Sequence, residues 1–278
     1  MHNIMIFDSG AGGLSIALAL IEKLRSLGNH ACQINYLADD LFFPYGLLSE
    51  ETVLDRVRDC VMPLVNEVDP DILVVACNTA STIVLPVLRA ALQIPVVGVV
   101  PAIKPAANKS ERKHIGLLAT PATIQRSYTD ELISQFATNV KVTKVGSCEL
   151  VEMAEKLLEG LAVSVSDVAD ILAPMLGDDY ADVIVLGCTH FPLLHRQLNE
   201  AIALRCPERK IQLIDSGAAI AKRIIQLLDI KADSLDGEIK TRLNFVLYST
   251  AEKFRPTSWH AKVVTVLGES IDTTIKPA

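Results

Sequence analysis

The chain reads as an α/β protein of two pseudo-symmetric lobes, each a mostly parallel sheet flanked by helices. Three observations predict this. Residues 72–76, ILVVA, and 183–187, VIVLG, are continuous apolar runs set off by turn residues, the pattern of strands buried on both faces in a parallel sheet. Each run leads into a cysteine, polar residues and a helix-compatible stretch: Cys77-Asn78-Thr79 in the first case, Cys188-Thr189-His190 in the second. The spacing also repeats. Cys188 lies 111 positions after Cys77, Thr120 lies 111 after Ser9, and residues 95–102 match 212–218 once a short Cys206-Pro207-Glu208-Arg209 insertion is allowed. A duplicated unit of this kind predicts two thiols facing one cleft between the lobes, at the carboxyl ends of strands, where open α/β sheets bind ligands.

The elements follow in order. An apolar strand over residues 3–7 runs into Asp8-Ser9-Gly10-Ala11-Gly12-Gly13 and a helix over 14–27, closed by Gly28-Asn29. The Gly-rich turn lacks G-x-G-x-x-G and has no GKS or GKT, so it offers backbone N–H groups and a helix start to an anion rather than a dinucleotide or P-loop site. A strand over 33–38 ends in Asp39-Asp40 and reaches the turn Pro44-Tyr45-Gly46. A helix over 49–68 follows, capped by Ser49 with Glu50 and Glu51 in its first turn. After the first cysteine strand come a helix to residue 91 and a buried strand over 94–100. The second half opens with a strand over 114–118, a helix over 124–136, a strand over 140–145 and helical spans to 161 and over 166–176. The second cysteine strand, its helix, a strand over 211–214 and a helix to 228 complete it. In the tail beyond Lys231, residues 243–248 and 263–267 have strand-like composition.

Bulk composition narrows the class. Of 278 residues half are apolar and 21% charged, enough for a large core and about two domains. A formal net charge of -7 and a pI of 5.4 argue against nucleic acid or an anionic membrane as the main partner. No apolar run is long enough to span a bilayer. The first residues have no basic region and enter a strand pattern at once, so no signal peptide is expected and the cytoplasm is the expected location. None of the six cysteines is in CxxC spacing, which leaves neither a zinc site nor a redox dithiol. Cys32, Cys60 and Cys206 read as small buried hydrophobes.

Two facing thiols suit a reaction that is itself nearly symmetric: moving a proton from one face of a carbon to the other. One thiolate removes the proton and the opposite thiol delivers another. A thiol, with an unperturbed pKa of about 8.5, serves in both roles near neutrality, and a helix start lowers it further. Each cysteine has a candidate partner for managing the proton: Asp8 for Cys77, and His190, with Glu155, for Cys188.

These residues resemble a known family. FDSGAGG from Phe7, the segment from Asp39 to Pro44-Tyr45-Gly46, ACNTAS from Ala76, GCTHFPLL from Gly187 and IDSGAA from Ile214 occur in the order seen in the aspartate/glutamate racemase superfamily, and within it the cofactor-independent glutamate racemases. The LVEMAE run at 150–155 is similar to proteobacterial members. The resemblance implies interconversion of L- and D-glutamate without pyridoxal phosphate or metal, supplying D-glutamate for peptidoglycan. It gives Cys77 the D isomer and Cys188 the L isomer to deprotonate. It places Asp8, Ser9, Tyr45, Gly46, Asn78, Thr79, Thr120, Thr189 and His190 around the substrate, with Asp8, His190 and Glu155 assisting the cysteines. Many relatives have Gly-Thr-x-Gly-Thr where this chain has Ala119-Thr120-Pro121-Ala122-Thr123. Some proteobacterial relatives are activated by a nucleotide-linked peptidoglycan precursor. The family architecture returns the segment from 210 to the first lobe, giving domains 1–97 plus 210–278, and 98–209.

Two other readings compete. An aspartate racemase of the same superfamily would use the same chemistry with a shallower side-chain pocket. A two-lobed amino-acid binding protein would keep its affinity when either cysteine became alanine. A pyridoxal-phosphate racemase would need a lysine in a cofactor constellation, and none is legible.

Overall fold

The computed structural model describes residues 1–28, 30–232, 242–252, 255–269 and 271–278. The first strand, β1 (His2–Asp8), is apolar and almost wholly buried. It feeds α1 (Leu14–Ser26), whose Leu14, Ala17, Leu20, Ile21 and Leu24 form a fully buried stripe at helical spacing. Gly28 takes a positive φ of 104° just past that helix, as expected for a helix stop; Asn29 lies outside the described residues. Next come β2 (Ala31–Ala38), α2 (Glu50–Arg56) and α3 (Met62–Val68), the two helices joined through a wider π-helical turn, Val57–Val61, into one rod. Ser49 caps that rod by accepting the Thr52 N–H at 3.2 Å. Then come β3 (Ile72–Val75), α4 (Asn78–Ala91) and β4 (Val96–Gly98).

The plan then repeats. The helix α5 (Ile103–Lys109) leads to β5 (His114–Ala119), α6 (Pro121–Gln125), α7 (Ser127–Phe136), β6 (Lys141–Gly146), α8 (Glu149–Leu158) and α9 (Val165–Leu172). These are followed by β7 (Val183–Leu186), α10 (His195–Arg205) and β8 (Gln212–Ile214). The helix expected over 124–136 is thus two: α6 starts at Pro121, capped by Thr120, and ends at Gln125, and Arg126, in extended conformation, separates it from α7. The chain closes with α11 (Gly217–Leu227), β9 (Arg242–Ser249), α12 (Pro256–Leu267) and β10 (Asp272–Pro277).

Two parallel sheets result. The six-stranded sheet has the order β10-β9-β2-β1-β3-β4, the four-stranded one β6-β5-β7-β8, and every pairing within them is parallel. The core order 2-1-3-4 is therefore used twice. Compact packing divides the chain into Met1–Val99 with Gly217–Ala278, and Val100–Ser216. β8 pairs with β7, so residues 210–216 sit in the second unit, whereas the resemblance returned them to the first. One core of the first unit is built around Phe7, Tyr45, Leu73, Val75 and Val84; one of the second around Ile115, Leu117, Val183 and Val185.

The tail departs most from the sequence-based expectation. Residues 243–248 do lie in a strand, β9, but 263–267 belong to α12. Their β-branched run looks like a strand, yet Trp259, Val263 and Leu267 are buried at four-residue spacing, and Pro256 starts the helix. β10 has no apolar run at all: it is a largely exposed edge strand on β9.

Candidate active site

In each sheet the middle strands β1 and β3, or β5 and β7, mark the point where successive connections diverge. Ligands bind open sheets at such switch points, beyond the carboxyl ends of the strands. Asp8 and Cys77 stand there in the first unit, Thr120 and Cys188 in the second.

In the first unit Asp8 is fully buried, and its Oδ1 accepts the Gly10 N–H at 2.8 Å. Tyr36 donates its hydroxyl to the Gly10 carbonyl at 2.6 Å and so pins the turn from the next strand. A Cβ on Gly13 would come within 2.8 Å of both Asp8 Cβ and Tyr36 Oη, so only glycine lets α1 begin this close to the turn. Cys77 is the N-cap of α4: its Sγ accepts the Ala80 N–H at 3.5 Å and lies 3.6 Å from Ser9 Oγ. A sulfur at a helix N-terminus with hydroxyl and amide donors around it is an environment that favours thiolate. Asn78 and Thr79 are buried beside it. Asn78 Oδ1 is one of four buried side-chain polar atoms with no hydrogen-bond partner among the described residues. Tyr45 is buried, packs edge-on against Phe7 with ring centroids 6.0 Å apart, and donates to Asp39 Oδ2 at 2.6 Å. Burial and the Asp39 charge hold its hydroxyl well above the usual phenol range, so it remains a donor. Gly46 follows in a short 3-10 turn.

In the second unit Thr120 caps α6, accepting the Thr123 N–H at 3.3 Å. Cys188, Thr189 and His190 are all buried at the end of β7. His190 Nε2 lies 2.8 Å from Glu155 Oε1, which α8 presents from the neighbouring connection. Burial opposes a charge on this imidazole, but hydrogen bonds to Cys188 and Glu155, with the Glu155 charge and that of Cys188 when ionised, outweigh it and push its pKa up to about 10. His190 therefore stays protonated through neutral pH, beside a cysteine and anchored by a carboxylate.

The first unit thus gathers Asp8, Ser9, Tyr45, Gly46, Asn78, Thr79 and Cys77, and the second gathers Thr120, Cys188, Thr189, His190 and Glu155. Sequence reasoning assigned Ser9 to substrate alone and missed its contact with Cys77. It also missed Arg56 and Thr250, which join Tyr45 on Asp39, and Cys148, whose thiol is raised by burial and then by the charges of Cys188 and Glu152. Of the cysteines read as core, Cys32 and Cys206 are buried, while Cys60 is half-buried and donates to the Arg56 carbonyl at 2.9 Å. Burial pushes the Cys32 thiol up to about 11 and the Cys60 thiol to about 12, so neither is a ready thiolate. Among the described residues no cluster of three or more His, Cys, Asp or Glu side chains is arranged to hold a metal ion, and no helix is long and apolar enough to cross a membrane.

The model of the Asp/Glu/hydantoin racemase family matches residues 12–224. The chain belongs to that family. Within it the kinship is to glutamate racemases. The Shewanella loihica enzyme is 43% identical over 272 residues, covering 97% of each chain, and the Vibrio cholerae enzyme is 49% identical over 228 residues, 82% of this chain and 81% of that one. Among solved structures, Escherichia coli glutamate racemase in complex with L-glutamate and the activator UDP-MurNAc-Ala superposes with a TM-score of 0.83 at 39% identity, covering all of this chain and 98% of that one. A Bacillus anthracis glutamate racemase gives 0.80 at 28%, covering all of this chain and 97% of that one. Membership makes this family member an amino-acid racemase of the glutamate racemase kind, an isomerase.

Proposed function

We propose that the chain racemises glutamate by a two-base mechanism in which Cys77 and Cys188 act on opposite faces of Cα, and that it supplies D-glutamate for peptidoglycan in the cytoplasm. The observation that carries the mechanism is the pair of buried cysteines at equivalent strand ends, each with its own donors. Starting from D-glutamate, the Cys77 thiolate takes the Cα proton, and the C–H electron pair is delocalised into the α-carboxylate. The Cys188 thiol gives its proton to the other face. The products are L-glutamate, a Cys77 thiol and a Cys188 thiolate, which is the starting state for the reverse reaction. The His190 cation stabilises the Cys188 thiolate, and Glu155 holds the ring in place. Asn78 Oδ1, a buried acceptor without a hydrogen-bond partner among the described residues, takes the substrate ammonium, because leaving it unpaired is costly. The hydroxyls of Ser9, Thr79, Thr120 and Thr189 and the backbone N–H groups around them and Tyr45-Gly46 hold the carboxylates.

The same reading extends to regulation. The E. coli relative was solved with an activator that is a uridine diphosphate conjugate. A groove of about 570 Å³ in the first unit, lined by Arg89, Arg223 and residues 94–98, supplies two guanidinium groups of the kind that grip a diphosphate.

Proton NMR of the purified protein in heavy water, with L- or D-glutamate and with and without UDP-MurNAc-Ala, tests this reading. Loss of the Cα–H signal coupled to loss of optical rotation, from both isomers and not from aspartate, is the expected result. Exchange with aspartate would make the chain an aspartate racemase, and no exchange under any condition would leave an amino-acid binding protein.

A further inference from the structure

The Asp39 carboxylate is completely buried, and four hydrogen bonds use its lone pairs. Arg56 reaches it as a fork, Nε to Oδ2 and Nη2 to Oδ1, both at 2.8 Å. Tyr45 donates to Oδ2 at 2.6 Å and Thr250 to Oδ1 at 2.7 Å. Three segments therefore meet on one group: the Tyr45 turn, the α2–α3 rod at Arg56 and, from 211 positions away, the loop that leaves β9. The neighbouring Asp40 binds the same region, taking the Ser249 hydroxyl at 2.8 Å and the Trp259 indole N–H at 3.0 Å.

What this hub holds is the rim of the site. Asp39 donates its own N–H to the Asp8 carbonyl at 3.0 Å. Between Asp39 and Tyr45, the Phe43 ring fills the space where a Cβ on Gly10 would stand, 2.7 Å from that position, so the 39–47 segment packs directly on the Asp8–Gly10 turn. Arg56 lies over the Phe42 ring at 4.2 Å. Arg56 and Thr250 themselves border a separate cavity of about 290 Å³ whose lining contains none of the residues assigned to substrate. A buried ion pair is weak evidence for stability, because its desolvation offsets its attraction; fixing one geometry is the better-attested use.

We infer that Asp39 is a positioning residue for racemisation: with Arg56 and Thr250 as its anchors, it sets the Tyr45-Gly46 backbone and the Asp8-Ser9 turn at the geometry the substrate needs. This gives the C-terminal segment a task, since Thr250 carries that geometry from β9 into the site. The inference rests on reading Tyr45 and Gly46 as substrate-lining.

Two variants away from the substrate test it. Thr250→Val keeps shape and removes the hydroxyl that donates to Asp39 and accepts the Leu41 N–H at 3.2 Å; Arg56→Lys keeps charge and removes the fork. Each is expected to raise KM for both glutamate isomers by about tenfold or more, with kcat falling less, because misplaced binding groups weaken substrate capture. Thr250→Val should do so with a thermal transition close to that of the unaltered chain. Wild-type values of KM and kcat in both variants, or losses of kcat alone that follow the loss of folded protein, would overturn the inference. The unaltered chain is measured alongside: if it fails to exchange the Cα proton of glutamate, the functional reading fails, whatever the variants do.

Discussion

Cys77 and Cys188 hold the same place in two copies of one strand plan, yet their surroundings differ. β3 and β7 begin 111 positions apart and each delivers its cysteine to a helix start. Around Cys77 stand the Ser9 hydroxyl and the Ala80 N–H. Around Cys188 there is a protonated imidazole braced by Glu155. The position equivalent to His190 in the first copy is Thr79, and the one equivalent to Ser9 in the second is Thr120. The repeat thus preserves where the sulfur stands, which backbone geometry decides, and varies how its charge is managed, which single side chains decide. A proton transfer between mirror-image substrates needs two bases but not two identical environments.

The comparison breaks most severely if the sulfurs themselves go. Cys77→Ser and Cys188→Ser are each expected to slow racemisation by about a thousandfold, since a serine hydroxyl, unlike a thiol, is almost wholly un-ionised near neutral pH and supplies no anionic base. Circular dichroism should show the fold intact. A folded variant with turnover near that of the unaltered chain would remove that cysteine from the two-base scheme.

Replacing His190 sharpens the contrast. His190→Asn should cost about a hundredfold in turnover, through loss of the cation beside Cys188. The two enantiomers have equal free energy, so kcat/KM stays equal in both directions in every variant. The asymmetry appears instead in the isotope effect on kcat/KM: with α-deuterated L-glutamate, whose proton Cys188 removes, it should grow more than with the D isomer. The same residue has a signature in stability. Its pKa rises from about 6.5 unfolded to about 10 folded, so its contribution is complete below pH 6.5 and fades as pH climbs toward 10. Thermal unfolding followed across that window should show a decline that His190→Asn flattens. Equal isotope effects for the two isomers, with an unchanged pH slope, would show that His190 is a packing residue.

How much of this was legible in the sequence follows from the range of each interaction. The cysteine strands, their helix starts and the Ser49 cap are local patterns of apolar runs and polar caps, and the chain states them within a dozen residues. The duplication was legible because both copies kept their register from Ser9 to Cys77 and from Thr120 to Cys188. Arg56 and Thr250 were not: they meet Asp39 across 17 and 211 positions, and nothing in an arginine on an amphipathic helix or a threonine after a strand names its partner. Residues 263–267 have the β-branched composition of a strand, but the four-residue spacing of Trp259, Val263 and Leu267 is what decides for helix α12. β10 escaped because an exposed edge strand needs no apolar run.

The smallest expected effect concerns Ser9 and separates two tasks for one hydroxyl. If Ser9 only holds substrate, Ser9→Ala raises KM and leaves the pH dependence of kcat/KM where it was. The 3.6 Å approach to Cys77 Sγ gives it a second task, donating to the thiolate. Removing one hydrogen bond to a charged acceptor lifts the thiol pKa and slows the reaction by about tenfold. The limb of the pH profile that belongs to Cys77 should then move to higher pH in Ser9→Ala. The Cys188 limb, sustained by His190 and Glu155, should not move. A profile that only scales down, with both limbs in place, would return Ser9 to the substrate and leave the Ala80 N–H and the start of α4 to sustain the Cys77 thiolate.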